Sequence, residues 1–320
     1  MTISNSTSSS LADRLAYTVR LQIPGFSKSM AGHLIEQRSL EQRDSEDWYR
    51  EFRDKVYSAV GNCNMPVFRF SDGECFFTVG YRLPPTPSRR NPVAHYARMI
   101  LSAYVKHRLH RHFRSGTVTT GFETYTGGEW EDARNRFADC LRRIAGSGII
   151  ALNFVRQDGE PLCDHYFPDV CAWLDRHRIL VDHTNSVPFF FVYALLLGPD
   201  RQFLLRQRHV VVVTSLSPGK RSAIEETLTR EQVRSVQFIN LSPQKAMFDT
   251  IDTGNLVQPV ELVLIGAGVG AANVLCQLQH LGTVCIDAGH VLDCYANPRN
   301  VGVRAFTRPD DPHWVVGALK

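Results

Sequence analysis

The sequence predicts an α/β fold: one mainly parallel sheet with helices on both faces, preceded by an N-terminal helical extension. Three observations predict it. From Gly148 to Asp287, apolar β-branched runs alternate with helical stretches, the pattern of βαβ units. The runs, such as His209-Val-Val-Val-Val-Thr-Ser215, are apolar almost throughout, as in strands buried on both faces. Most of them end in polar or Gly-rich residues, which a crevice beyond the carboxyl ends of parallel strands requires.

The elements follow in order. Residues 1–12 read as a disordered polar tail, residues 13–62 as a helical N-terminal extension, and residues 63–320 as a single α/β domain. Met65-Pro66-Val67-Phe68 is the first strand. The proline-rich stretch Leu83–Pro92 excludes a regular element, and a helix follows over Val93–Phe113. Trp130, Ala133, Phe137, Leu141 and Ile144 recur at helical spacing. Later strands are expected at Gly148–Val155, Arg178–Asp182, His209–Ser215, Ser235–Leu241, Glu261–Gly266 and Thr283–Asp287. Helices are expected at Asp169–His177, Val187–Leu197, Arg221–Val233, Gln244–Ile251 and Ala271–Leu281.

At 320 residues the chain can bury a full core. Its 43% hydrophobic and 21% charged residues are ordinary for a globular protein. A net charge of +4 gives no global case for nucleic-acid binding. The 8 cysteines are scattered without a C-x-x-C pair, which fits a reducing, cytoplasmic location. Cys163-Asp-His165 with Cys171 matches no common zinc-ligand spacing. The polar N-terminus lacks the apolar core of a secretory signal. The longest apolar run, Val187–Leu197, is too short to span a bilayer. The basic cluster Lys106–Arg114 reads first as a solvated helix face, with a patch for a membrane surface or an acidic partner as the alternative.

Chemistry concentrates at predicted strand ends. After the first strand comes Arg69-Phe70-Ser71-Asp72-Gly73-Glu74. In an extended chain, positions i and i+2 share a face, so Asp72 and Glu74 would converge on one point and suit a hard divalent cation shared with substrate phosphates. Ser215-Leu-Ser217-Pro218-Gly219-Lys220-Arg221 leads from a strand into a helix. Its small residues, helix start and cations suit a phosphate, with Ser215 and Lys220 as contacts. Gly266-Ala-Gly268-Val-Gly-Ala271, followed by Asp287, has the spacing of a dinucleotide fingerprint. Too little chain follows it for the remaining strands of that fold, so a turn lining a mononucleotide site is preferred. Asp287-Ala288-Gly289-His290 places two further groups, Asp287 and His290, at a strand end as catalytic candidates. Asp182, Asp249 and Asp293 are additional candidates for a general base.

Arg69-Phe-Ser-Asp-Gly-Glu74 resembles the Arg-[Phe/Tyr]-Gly-Asp-Gly-Glu signature of GT-D-type glycosyltransferases. Ile239-Asn-Leu-Ser-Pro243-Gln-Lys245-Ala246-Met-Phe248 is similar to that family's Pro-x-x-[Asn/Lys]-Ala-Phe segment. Ile265-Gly-Ala-Gly268 and Ile286-Asp-Ala-Gly-His290 look like its Gly-rich turn and Ile-Asp-Ile-Gly-His ending. Ser71 stands where the family has Gly, and Met247 interrupts the Ala-Phe pair. The resemblance implies a Rossmann-like domain that moves a sugar from a nucleotide-sugar donor, UDP-linked, to an acceptor (glycan, glycopeptide or small molecule), using Mn2+ or Mg2+ held by Asp72 and Glu74. It also implies donor contacts from Arg69, Pro243, Lys245, Gly266 and Gly268. Two other functions fit the residues: a nicotinamide or flavin oxidoreductase using Gly266, Gly268, Ala271 and Asp287, and a non-catalytic nucleotide-binding protein.

Overall fold

The computed structural model describes residues 9–26, 35–79, 125, 128–156, 161–301 and 309–310, with side chains omitted at 156 and 161–165. The expected loop at Leu83–Pro92, the helix at Val93–Phe113 and the basic cluster Lys106–Arg114 lie outside these residues.

The first described elements are a helical turn, α1 (Leu11–Arg14), two strands, β1 (Tyr17–Arg20) and β2 (Glu36–Ser39), and a helix, α2 (Ser45–Ala59). The extension is therefore not simply helical. β1 and β2 pair antiparallel, and β2 also pairs with β5 (Val155–Arg156). Nor is all of 1–12 a free tail, because Leu11 is fully buried.

The remaining strands are β3 (Met65–Phe70), β4 (Ile149–Leu152), β6 (Ser186–Pro188), β7 (His209–Thr214), β8 (Ser235–Asn240), β9 (Leu262–Gly266) and β10 (Val284–Asp287). They form one seven-stranded sheet in the order β6-β4-β3-β10-β9-β7-β8. All six of its pairings are parallel. The sheet is covered on both faces, as expected. Val67, Ile149, Val210, Val212, Leu264 and Ile286 point to one face. There they meet α2, α6 (Phe189–Leu197), α8 (Pro218–Arg230) and α10 (His290–Ala296). The alternate residues Phe68, Ile150, Val211, Val213, Ile265 and Cys285 point to the other face. That face is covered by α3 (Asp72–Val79), α4 (Gly128–Ser147), α5 (Pro161–Arg176) and α9 (Ala271–Gln277). The two-residue period of strands thus splits each apolar run between two cores. The short helix α7 (Arg201–Leu205) follows α6.

Two expected elements are absent. Arg178–Asp182 is not a strand, although Ile179 and Val181 are buried and Leu180 is exposed. Its backbone groups bond side chains instead: Asn185 Nδ2 donates to Leu180 O at 2.9 Å, and Arg14 Nη1 to Val181 O at 3.1 Å. The strand at this place is β6, which starts after Asp182. Gln244–Ile251 is a run of turns rather than a helix. Asp249 Oδ2 accepts from Ser242 N at 2.6 Å and folds the segment back on itself. Among the described residues, no helix is long and apolar enough to cross a membrane.

Candidate functional site

The carboxyl ends of β3, β10, β9 and β7 lie side by side and bring four of the motifs to one edge of the sheet. From β7 the chain runs outward to β8, whereas from β9 it runs the other way to β10. Divergence of this kind opens a crevice in parallel sheets.

Arg69 and Asp287 form the buried base of the site. They are 7% and 2% exposed. The guanidinium donates through Nε to Asp287 O at 2.7 Å and lies 3.3 Å from Asp287 Oδ1. It also stacks over the rings of Tyr193 and Phe189. Burial opposes the charge on Arg69, but Asp287 and the other acidic groups around it raise its pKa further, so it stays a cation. Burial pushes the Asp287 carboxyl up, against the pull of Arg69 and of the Arg69 and Gly289 N–H groups. Arg69 is thus committed to Asp287. Asp287 is likewise closed to a ribose, the contact that the oxidoreductase alternative requires.

Asp72 and Glu74 do not share a face. The chain enters α3 at Asp72 instead of staying extended, and residues two apart on a helix do not face each other. Ser71-Asp72-Gly73-Glu74 has the spacing of a capping box, in which the third helical residue reaches back to the N-cap N–H. Glu74 Oε2 does so, accepting from Ser71 N at 2.9 Å. Its carboxyl is buried, and burial followed by the nearby Asp287 charge pushes its pKa up to about 8. Asp72 is exposed and accepts from Ser71 Oγ at 2.7 Å. The capping-box spacing was the sequence signal for this arrangement.

Gly289 makes the close packing possible. Its φ of 46° is left-handed, and a Cβ there would overlap Arg69 Nη2. Beyond it, His290 and Asp293 face Lys220. Lys220 Nζ lies 3.4 Å from Asp293 Oδ1, and His290 Nδ1 lies 3.8 Å from Asp293 Oδ2. His290 Nε2 is buried without a hydrogen-bond partner. Ser215 and Lys220 flank the exposed start of α8. A Cβ at Gly266 would lie 2.8 Å from Leu292 Cδ1, so that glycine lets α10 pack against the end of β9.

Pro243 and Lys245 are exposed at the end of β8, and Lys245 pairs with Glu129 at 3.0 Å. Asn273, missed in the sequence, holds this segment in place. Its Nδ2 donates to Ala246 O at 2.8 Å and to Asp249 O at 3.0 Å. Gln277 adds a bond to Asp249 O at 2.9 Å. Among the base candidates, Asp182 lies at the amino end of β6, away from the crevice, with its carboxylate spent on Thr184 and Asn185. Asp249 is spent on Ser242. Among the described residues, no three His, Cys, Asp or Glu side chains gather in a way that could hold a metal ion.

A family model described as a GT-D fold-like domain matches residues 100–295. The chain belongs to the GT-D-like family. The matched span includes the Gly266–Gly268 turn and the Asp287–His290 ending, while Arg69–Glu74 precedes it. A GT-D-like domain suggests a glycosyltransferase. A solved structure described as a selenomethionine-substituted domain of unknown function 1792 is similar with a TM-score of 0.42 and 14% identity, over 93% of this chain and 86% of that one. Comparison with curated proteins found no match.

Proposed function

We propose that this GT-D-like chain transfers a sugar from a UDP-linked nucleotide-sugar donor to an acceptor, with Mn2+ or Mg2+ as cofactor. One observation carries the reading. The Asp72 turn and the Asp287–His290 ending, which resemble family motifs and lie far apart in sequence, end neighbouring strands and are joined by the Arg69–Asp287 pair. A chelate made by Asp72 and Glu74 together does not fit, because Glu74 is turned into the protein. Asp72 alone fits, as an exposed carboxylate that would hold a hard divalent cation. When bound, such a cation offsets charge on the diphosphate leaving group.

In this reading Glu74 is a positioning residue that fixes the turn presenting Asp72. Lys220 and the N–H groups at the start of α8 receive the phosphates, where the helix dipole favours an anion. Gly268 lets the nucleotide approach the β9 turn, Gly266 keeps that turn packed on α10, and Pro243 and Lys245 border it. His290 and Asp293 are the two groups at the mouth able to take the acceptor proton.

The test is a panel of nucleotide sugars with and without Mn2+, reading donor hydrolysis. Asp72→Asn should reduce the metal-dependent rate on the order of 100-fold, a loss typical of removing one transition-state electrostatic contact. Wild-type rates in that variant would overturn the role of Asp72. Nucleotide binding without diphosphate release in the presence of any acceptor would favour the non-catalytic alternative.

A further inference from the structure

On one face of the sheet, α4 and α9 bring two cysteines together. Cys276 Sγ donates to Cys140 O at 3.4 Å, although the residues are 136 apart in sequence. Both side chains are reduced in this structure; Cys140 is buried and Cys276 half-buried. Nothing in the proposed transfer reaction uses them.

We propose that Cys140 and Cys276 are a modification site: on exposure to a peroxide they form a reversible disulfide that ties α9 to α4. The step balances. The two thiols give up two protons and two electrons, one S–S bond forms, the peroxide O–O bond breaks, and two waters leave when the oxidant is hydrogen peroxide. A thiol such as glutathione returns the pair to its reduced state by exchange. Disulfides in reducing compartments are mostly transient devices of this kind.

The surroundings make the pair selective. The neighbouring Cys276 side chain holds the Cys140 thiol below its ordinary pKa against the effect of burial, helped by Arg136 and Arg143 one turn to either side. Thiolate character governs reactivity. Burial pushes Cys171 and Cys285 the other way, each up to about 12. Cys63 is exposed. The cross-link would also act on a defined part of the molecule. Cys276 lies on α9 between Asn273 and Gln277, the side chains that hold the carbonyls of Ala246 and Asp249. Fixing α9 therefore fixes the loop at the end of β8.

The test treats the full chain carrying Cys63→Ser with hydrogen peroxide, then maps peptides without reduction. The expected product joins the Cys140 and Cys276 peptides, lacks two hydrogen masses and disappears with dithiothreitol. Cys276→Ser, a change at a half-buried position, should abolish it. Failure of the cross-link to form, or formation of a different pair as the main product, overturns the proposal. A second readout is amide exchange over residues 242–249. It should slow on oxidation and recover on reduction, with no change in Cys276→Ser. Unchanged exchange in a fully cross-linked sample overturns the coupling to the loop. Neither readout depends on donor or metal, so the outcome is separate from that of the proposed activity.

Discussion

Gly289 is the residue on which the base of the site turns. Its left-handed backbone and its contact with Arg69 leave no room for a side chain. Gly289→Ala should cost about 3 kcal/mol, combining backbone strain with overpacking. The shift of the urea midpoint measures it, and a variant within about 1 kcal/mol of wild type would mean that the contact relaxes freely. Glu74 gives a pH signature. Its pKa rises from 4.5 to about 8 in the fold, through burial and then Asp287. Between those values the native state holds a proton that the unfolded chain has released. Stability from this group is therefore complete below 4.5 and is lost as pH rises toward 8. In chelator-treated protein, Glu74→Gln should flatten the fall of Tm between pH 5 and 8, since an amide keeps the acceptor for Ser71 N without ionising. Parallel Tm curves for the two proteins would refute it. The sequence showed both carboxylates but not their divergence, because an extended turn and a capping box use the same four residues.

At the scale of elements, α9 does more than cover the sheet. Asn273→Ala removes one buried and one part-buried hydrogen bond and should destabilise by about 2–3 kcal/mol. It should also speed amide exchange in residues 246–251 more than in β9. Uniform exchange changes across both would show that Asn273 has no special hold on that loop. The strands β7, β8, β9 and β10, each set between helical stretches, were legible in the sequence, as was α4 from its helical spacing. Elements defined by their neighbours were not. β1 and β2 are four residues each, and β6 is three residues ending in Pro188. Arg178–Asp182 alternates in burial like a strand, yet side chains, not a neighbouring strand, take up its backbone groups. Periodicity reports which face is buried, and pairing depends on what lies alongside.

For the whole molecule, the segment before β3 is part of the core. Trp48, Tyr49 and Phe52 of α2 pack on Phe191 with ring centroids 5.5, 5.4 and 6.2 Å apart. A chain beginning at residue 63 would uncover Phe191, which is fully buried. Large exposed apolar surface promotes aggregation. That shortened chain should lose its cooperative thermal transition or precipitate, and a soluble product with native-like near-UV dichroism would disprove it.

β10 occupies the middle of the sheet yet is the last strand among the described residues, with β3 on one side and β9 on the other. Until it is inserted, the molecule is two half-sheets, β6-β4-β3 and β9-β7-β8, each with an open inner border. Contacts between distant parts of a chain are the slowest to form. β10 is thus a keystone, and the same strand delivers Asp287 to Arg69. Closing the architecture and assembling the buried Arg69–Asp287 base of the candidate site are one event, so a nascent chain that has not yet emerged past residue 290 lacks both.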